Sequence, residues 1–365
     1  MSKPRALVVE FYDSHLETLF PQVYMLEAAG HEVWVAVQDQ FVPQTKATLP
    51  GRKIISLPTR GYFARWQAPW RVAYTLWKQK IGKLAINTVA SNPLRRLVLW
   101  LWFLPKVQVA TVVHGANRLA KRGSMSWITT RIRRFWVIST HQRHYLPPAA
   151  SKFIIGQFYP ILFTDPAQPQ VKVALDTALA WLSKGPDAPI LVGIPGHPNP
   201  ERRDYMALLD ALEKTSAQPS QVQFWLLGNY YSGFGPAILE EIDRRGLSPW
   251  FRWGTGRIPT LEYHTLLRQC QLLLPLLHPG ILDYEKYQTT KTSGNLNLGL
   301  GFGLPMALPH EFKVDPLIEP LKYSYPLDSL AEEIARWANE GIAPPANWLA
   351  PTLDSLTQDY MAVWQ

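Results

Sequence analysis

Short apolar runs alternate with helix-length segments along most of this 365-residue chain. That alternation restricts the fold more than any other feature. Residues 6–10 form an apolar run closed by polar residues, the pattern of a strand buried on both faces. A helix is expected over about 15–29, stopped by Gly30, and a second strand over 31–37. Together these start a strand–helix–strand unit. Further apolar runs lie at 109–113 and 135–139. The second half alternates more regularly. Strands are expected at 190–194, 223–227, 251–253, 271–276 and 304–308, and helices at 201–214, 237–245, 260–269, 295–302 and 330–339. Doubly wound parallel sheets with helices on both faces bury such runs, so the fold class is α/β. Single cores rarely grow past roughly 250–300 residues. Two Rossmann-like domains are therefore expected, over 1–165 and 171–348, with a linker at 165–170 (DPAQPQ), a second loose segment at 185–189 and a closing segment at 349–365.

Charge divides the chain as sharply. No aspartate or glutamate occurs from residue 40 to residue 164, a stretch that holds 20 of the 37 Lys and Arg. All 28 acidic residues lie outside it. A surface this basic repels itself unless it meets something negative, such as an anionic membrane, a phosphate-bearing substrate or nucleic acid. The same tract leaves few carboxylates for catalysis in the first half.

Cys270 is the only cysteine, so no internal disulfide forms, and a reducing, cytoplasmic compartment is expected. Cys270 itself reads as a small buried hydrophobe. The N-terminus lacks the apolar core of a signal peptide. The longest lipophilic run, 97–104 (LVLWLWFL), is far short of the ~20 residues that span a bilayer.

Several chemistries lack their motifs. The first strand–helix turn has no GxGxxG, and there is no Walker A sequence, no GxSxG, no HExxH and no DxD pair. His141 and His144 stand three apart without a neighbouring carboxylate, so no metal site and no cofactor are expected.

Ligands of open α/β sheets bind beyond the carboxyl ends of the strands. The loops there hold Asp13 and His15, then His114-Gly115, then Gly196-His197, Gly228-Asn229, Arg257-Ile258 and the stretch from His278 to Asn295. In that stretch Lys291, Thr292, Ser293, Gly294 and Asn295 offer a cation, hydroxyls and unpaired N–H groups at a helix start, a favourable setting for an anion. The plainer alternative is that Ser293 only caps the helix. Gly299, Gly301 and Gly303 read as packing and turn residues.

Four segments together resemble the GT-B glycosyltransferases, especially glycosyltransferase family 4. They are ILVGIPGHPNPERRDYMALLDAL, FWLLGNY, FRWGTGRIPTLEYHTLLRQCQLLLPL and TKTSGNLNLGLGFGLPMAL. The tail WLAPTLDSLTQDYMAVW resembles the closing helix that crosses back to the first domain. The resemblance covers about 180 C-terminal residues and is thin in the first half, where it rests on VVHG and FWVIST. It implies a sugar nucleotide, linked to UDP or GDP, held by Gly196, Arg202, Arg203, Gly228, Asn229, Arg257, Ile258 and residues 291–295. Arg203 takes the place of the family's phosphate-binding lysine, and Arg257 and Ile258 would border the nucleobase. The paired glutamates of many retaining members are absent: Thr290 and Leu298 stand there. An inverting transfer needs a general base. Asp13 is preferred, with His15 and His114 behind it, although Asp13 could instead cap the following helix.

Residues 65–84 read as an amphipathic helix. Trp66, Trp70, Ala73, Trp77, Ile81 and Leu84 form its stripe, and Arg65, Arg71, Lys78, Lys80 and Lys83 lie off it. Arg95-Arg96 then precede Trp100 and Trp102. With no acid nearby, these residues suit contact with an anionic membrane, although a tryptophan stripe can also be core. The expectation is a metal-independent transferase. It would be peripheral on the inner face of the membrane, with a glycan or lipid-linked acceptor. The alternatives are a nucleotide-sugar 2-epimerase of the same fold, and a non-catalytic protein binding nucleic acid or an anionic polymer. No RNP motif, KH loop or zinc finger supports the last.

Overall fold

The computed structural model describes residues 3–12, 16–60, 63–89, 92–120, 123–161, 190–343, 345 and 348–365. Asp13, His15, the 165–170 linker and the 185–189 segment lie outside the described residues. The chain forms two compact units. The first comprises Met1–Phe163, Thr289–Thr292 and Pro351–Gln365, and the second comprises Thr164–Gln288 and Ser293–Ala350.

The first unit is built on a parallel seven-stranded sheet. Its strands are β1 (Arg5–Val9), β2 (Glu32–Gln38), β3 (Lys53–Leu57), β4 (Lys83–Ile86), β5 (Gln108–Val113), β6 (Arg134–Val137) and β7 (Ile154–Gln157), in the order β3-β2-β1-β4-β5-β6-β7. Leu7 of β1 pairs with Trp34 of β2 on one side and Leu84 of β4 on the other. Ala6 to Val9 are fully buried, as expected of a central parallel strand covered on both faces.

The structure corrects the reading of 65–84 as one helix. The helix covers Ala64–Lys78 and ends in a turn where Lys80 takes φ +52°. Residues 83–86 are the central strand β4 instead, so Ile81 and Leu84 are core residues. Four residues between helix and strand were enough to hide a strand behind a helical spacing. Strands β3 and β7 escaped the sequence reading because both are half exposed and break their apolar pattern with polar residues.

The C-terminal helix Leu353–Met361 belongs to the first unit. Its Tyr360 ring stacks on Trp136 with centroids 4.4 Å apart and planes 6° from parallel. Trp136 Nε1 donates to the Tyr360 carbonyl at 3.0 Å, and Arg134 Nε to that of Val363 at 3.0 Å. A side chain on Gly156 of β7 would run into Val363, so the glycine makes room for the returning chain.

The second unit has a parallel six-stranded sheet. Its strands are β8 (Ile190–Pro195), β9 (Val222–Leu227), β10 (Phe251–Trp253), β11 (Leu272–Leu273), β12 (Met306–Pro309) and β13 (Lys322–Tyr325), in the order β10-β9-β8-β11-β12-β13. The polar strand β13 was not expected. The helix expected from residue 201 begins only at Tyr205, because Asp204 is its cap: its carboxylate accepts from the Ala207 N–H at 3.0 Å. Arg202 and Arg203 therefore stand in front of the helix. The helix Gly294–Phe302 is apolar nearly all round and is buried from Asn295 to Leu300. It stops at Gly303 with φ +65°, and Gly299 lets it lie against the Met306 sulfur.

Candidate functional site

Each sheet reverses its winding once, between β1 and β4 in the first unit and between β8 and β11 in the second. In such sheets the crevice for a ligand opens at the carboxyl ends of the strands flanking the reversal. Both places gather polar side chains.

In the second unit, β8 delivers Gly196, β9 delivers Gly228, and the loop after β11 delivers His278. Gly196 has φ +94°, which L side chains rarely adopt. A Cβ there would lie 2.5 Å from Nη2 of Arg203 and 3.7 Å from Oδ1 of Asn295. A Cβ on Gly228 would run into the Gly196 carbonyl. The two glycines thus leave backbone where other residues would put side chains. Arg203 closes round this turn, donating through Nη1 to the His197 carbonyl at 2.5 Å and through Nη2 to that of Pro195 at 2.8 Å.

Among the described residues, two donors in this cradle are buried without a partner: Nε of Arg203 and Nδ2 of Asn295. Asn295 is 4% exposed and sits in the first turn of the helix Gly294–Phe302. An unsatisfied buried donor costs about 1–3 kcal/mol. Two of them beside a helix N-terminus and a guanidinium form a setting matched to an anion. Ser293 is at the cap position, but its side chain makes no capping bond, which sets aside the plainer reading of that residue.

Beneath the cradle the Tyr205 and Tyr230 hydroxyls are 2.9 Å apart. Burial pushes both phenols up, against a weaker downward pull from the Arg203 charge. Burial likewise raises Tyr287, with Arg202 and Arg203 pulling it down, which places both arginines near that ring. Arg202 is exposed, Asn229 accepts from the Tyr231 N–H and shapes the turn after β9, Arg257 is exposed and Ile258 is buried.

The sequence reading missed a polar relay next to the cradle. His278, 1% exposed, lies 3.4 Å through Nδ1 from the Asp204 carboxylate and 2.6 Å through Nε2 from the Tyr325 hydroxyl. A carboxylate only accepts, so Nδ1 carries the proton that faces Asp204. The hydrogen bond from His278 is the main reason the Asp204 carboxyl sits below its ordinary range. Leu276, two residues before His278, holds φ +56° while fully buried, and its carbonyl accepts from the Asp204 N–H. Strain of this kind persists only where the surroundings over-determine it.

The predicted 291–295 loop is divided. Lys291 forms an isolated antiparallel bridge with Gly115, Thr290 accepts from the Ala116 N–H at 2.9 Å, and Thr292 Oγ1 is 3.0 Å from Ser139 Oγ. These contacts lie within the first unit, whereas Ser293, Gly294 and Asn295 belong to the second.

At the reversal of the first sheet, the fully buried Glu10 follows β1. Its carboxylate accepts from the Tyr12 N–H at 2.8 Å, Asn87 Nδ2 at 2.7 Å and Thr88 Oγ1 at 2.7 Å. Asn87 Oδ1 in turn accepts from Thr18 and Gln22, and Gln22 Oε1 from Tyr360. Asn87 follows β4, and it went unseen because the helical reading ran across that strand. His114, half-buried after β5, lies 3.0 Å through Nε2 from the Asn87 carbonyl. The carbonyl accepts, so the proton is on Nε2 and Nδ1 is the basic atom of the ring. Among the described residues no group of three His, Cys, Asp or Glu could hold a metal ion.

The expected membrane residues lie on two helices and the turn after the second. Trp66, Trp70 and Trp77 are exposed, as are Arg65, Arg71, Lys78, Arg95, Trp100 and Trp102, and Arg96 is half-buried. No helix among the described residues is long and apolar enough to cross a membrane.

No protein-family model matches the sequence, and no curated protein does. Solved structures match over nearly the whole chain. A glycosyltransferase from Rickettsia africae aligns with a TM-score of 0.62 at 11% identity, covering 100% of both chains. Anabaena HepE in complex with UDP and glucose aligns at 0.60 and 14% identity, covering 99% of this chain and 95% of that one. The UDP-GlcNAc 2-epimerase of Neisseria meningitidis, bound to UDP-GlcNAc, aligns at 0.62 and 10% identity, covering 99% of each. At such identities the likeness carries the fold, which is GT-B.

Proposed function

We propose that the protein is a glycosyltransferase that draws a sugar from a nucleotide-sugar donor held in the second unit. The observation that carries this reading is the pair of unpartnered buried donors, Arg203 Nε and Asn295 Nδ2, beside the Gly196 turn. A diphosphate supplies the acceptor oxygens these groups lack, and as the leaving group it gains charge in the transition state, where fixed donors contribute most. Of the solved structures named above, Anabaena HepE holds UDP and the Neisseria meningitidis epimerase holds UDP-GlcNAc, which supports the same ligand class here.

The first unit would present the acceptor. In the preferred scheme Asp13 takes the proton from the acceptor hydroxyl, with His15 or the Nδ1 atom of His114 in the same role if Asp13 does not. Glu10 is a poorer candidate, because its oxygens already accept three hydrogen bonds. Its work is to hold Asn87, whose carbonyl fixes the His114 tautomer. With no DxD pair in the sequence, charge on the diphosphate would be met by the arginines and the helix start. Turnover is expected to survive chelators.

The test is NMR of a UDP- or GDP-sugar incubated with the protein and membrane lipid extract. Transfer consumes the sugar nucleotide, releases the nucleoside diphosphate and leaves a glycosylated acceptor. A second sugar nucleotide, inverted at C2 and formed without acceptor, would replace the transferase reading with the epimerase one.

A further inference from the structure

We propose that the outer face of the helix Ala64–Lys78, with the end of the helix Asn92–Leu101, docks the protein on an anionic lipid bilayer. The first helix has two apolar sides. Ala64, Ala68, Val72, Ala73 and Leu76 fill the core side and are buried. Trp66, Trp70, Tyr74 and Trp77 recur at three- and four-residue spacing on the other side and are 44%, 45%, 39% and 66% exposed. The core is already supplied by small residues, so these rings are not core tryptophans. They continue the face begun by Phe63, which is 63% exposed. The turn after the second helix adds Trp102 at 55% and Phe103 at 80%. Single exposed apolar residues are ordinary, but contiguous aromatic faces mark interaction sites.

The face is also rigid and basic. Arg131 donates to the carbonyls of Leu101, Leu104 and Val107, which fixes the turn that presents Trp102 and Phe103. Arg96 donates to the Arg65 carbonyl at 2.7 Å and lays its guanidinium 4.7 Å from the Trp66 ring centre. Arg65, Arg71, Lys78 and Arg95 flank the rings, and no acid occurs anywhere from residue 40 to 164. Aromatic rings edged by Lys and Arg suit the headgroup layer, where basic residues are drawn to an anionic surface.

Two other occupants fit less well. A second copy would bring two acid-free basic faces together. A single-stranded nucleic acid needs open ring faces for its bases. Here Trp70 and Tyr74 stack on one another at 5.2 Å and 13°, Arg96 covers Trp66, and Lys78 lies 5.4 Å over Tyr74. Those three rings therefore offer a base little open face.

The inference needs neither nucleotide nor turnover, so its failure and that of the donor-site reading are separate events. The full chain is sedimented with vesicles of phosphatidylcholine alone and of phosphatidylcholine with phosphatidylglycerol. Binding to the anionic vesicles should be about tenfold tighter or more. Brominated acyl chains should quench the tryptophan emission. The double variant Trp102→Glu/Phe103→Glu, and separately Trp70→Glu, should lower vesicle binding about tenfold or more, with the thermal melt unchanged because these side chains are exposed. Equal or absent binding to both vesicle types overturns the proposal. So does unaltered binding by the variants, or dimerisation or oligonucleotide binding that the same variants abolish while vesicles go unbound.

Discussion

Gly196 and Arg203 fit each other so closely that a Cβ on the glycine would lie 2.5 Å from Nη2 of the arginine. The same guanidinium holds the carbonyls of Pro195 and His197, one on each side of that glycine. The turn and the cation are thus one construction, and disturbing either should disturb both.

The first prediction concerns the glycine. Gly196→Ala must hold a strained φ of +94° and also push the Arg203 guanidinium away. Strain at such a backbone position costs about 1–3 kcal/mol. Urea unfolding should register that loss, and UDP affinity should fall with it. A variant of unchanged stability and affinity would show that the turn relaxes freely and is not a fixed cradle.

Asn295 separates stability from binding. Its Nδ2 is buried and unpartnered, so the free protein carries an unmet desolvation cost there of about 1–3 kcal/mol. Asn295→Leu should leave the melting temperature unchanged or raise it while reducing nucleotide binding. A marked drop in melting temperature would mean that Asn295 serves the fold instead of a ligand.

Asp204 gives a pH signature. Its carboxyl sits below the ordinary range, first through the hydrogen bond from His278 and then through the Ala207 N–H. A depressed carboxyl binds its proton more weakly folded than unfolded. Its stabilisation is therefore complete above the unfolded value near pH ~4 and is lost as pH falls through the lower folded value. Unfolding measured between about pH 2 and 6 should lose part of its acid dependence in Asp204→Asn. An unaltered pH profile would place the acid sensitivity elsewhere.

The chain's return to the first unit is open to a direct test. Tyr360 stacks on Trp136 and is fully buried. Tyr360→Ala should destabilise by about 3 kcal/mol or more, the scale of deleting a buried aromatic ring. Urea unfolding measures this, and a loss under about 1 kcal/mol would mean that the last helix is held by other contacts.

Much of the fold was legible because parallel strands buried on both faces read as nearly unbroken apolar runs, as in VATVV of β5 or ILVGIP at β8. Strands that are half exposed or polar, such as KYSY of β13, carry no such signal. Gly196, Gly228 and Arg203 were singled out by their resemblance to GT-B glycosyltransferase segments, and the structure brings them to one turn. The Glu10–Asn87 pair and the Asp204–His278–Tyr325 relay could not be singled out. Their partners are 77, 74 and 47 residues apart, and only the sheet order brings them together. The tryptophan stripe was visible in sequence, but which side of the helix was core was not. Alanine and valine proved to face inward.

The cradle at the β8–β11 reversal is proposed to bind a nucleoside diphosphate. Calorimetric titration of UDP and GDP into the wild-type protein and Arg203→Ala tests it most directly. Saturable binding of one nucleotide, weakened by about 1.5–3 kcal/mol in the variant, is the predicted result. No binding of either nucleotide, or equal affinity with and without the Arg203 guanidinium, would contradict it.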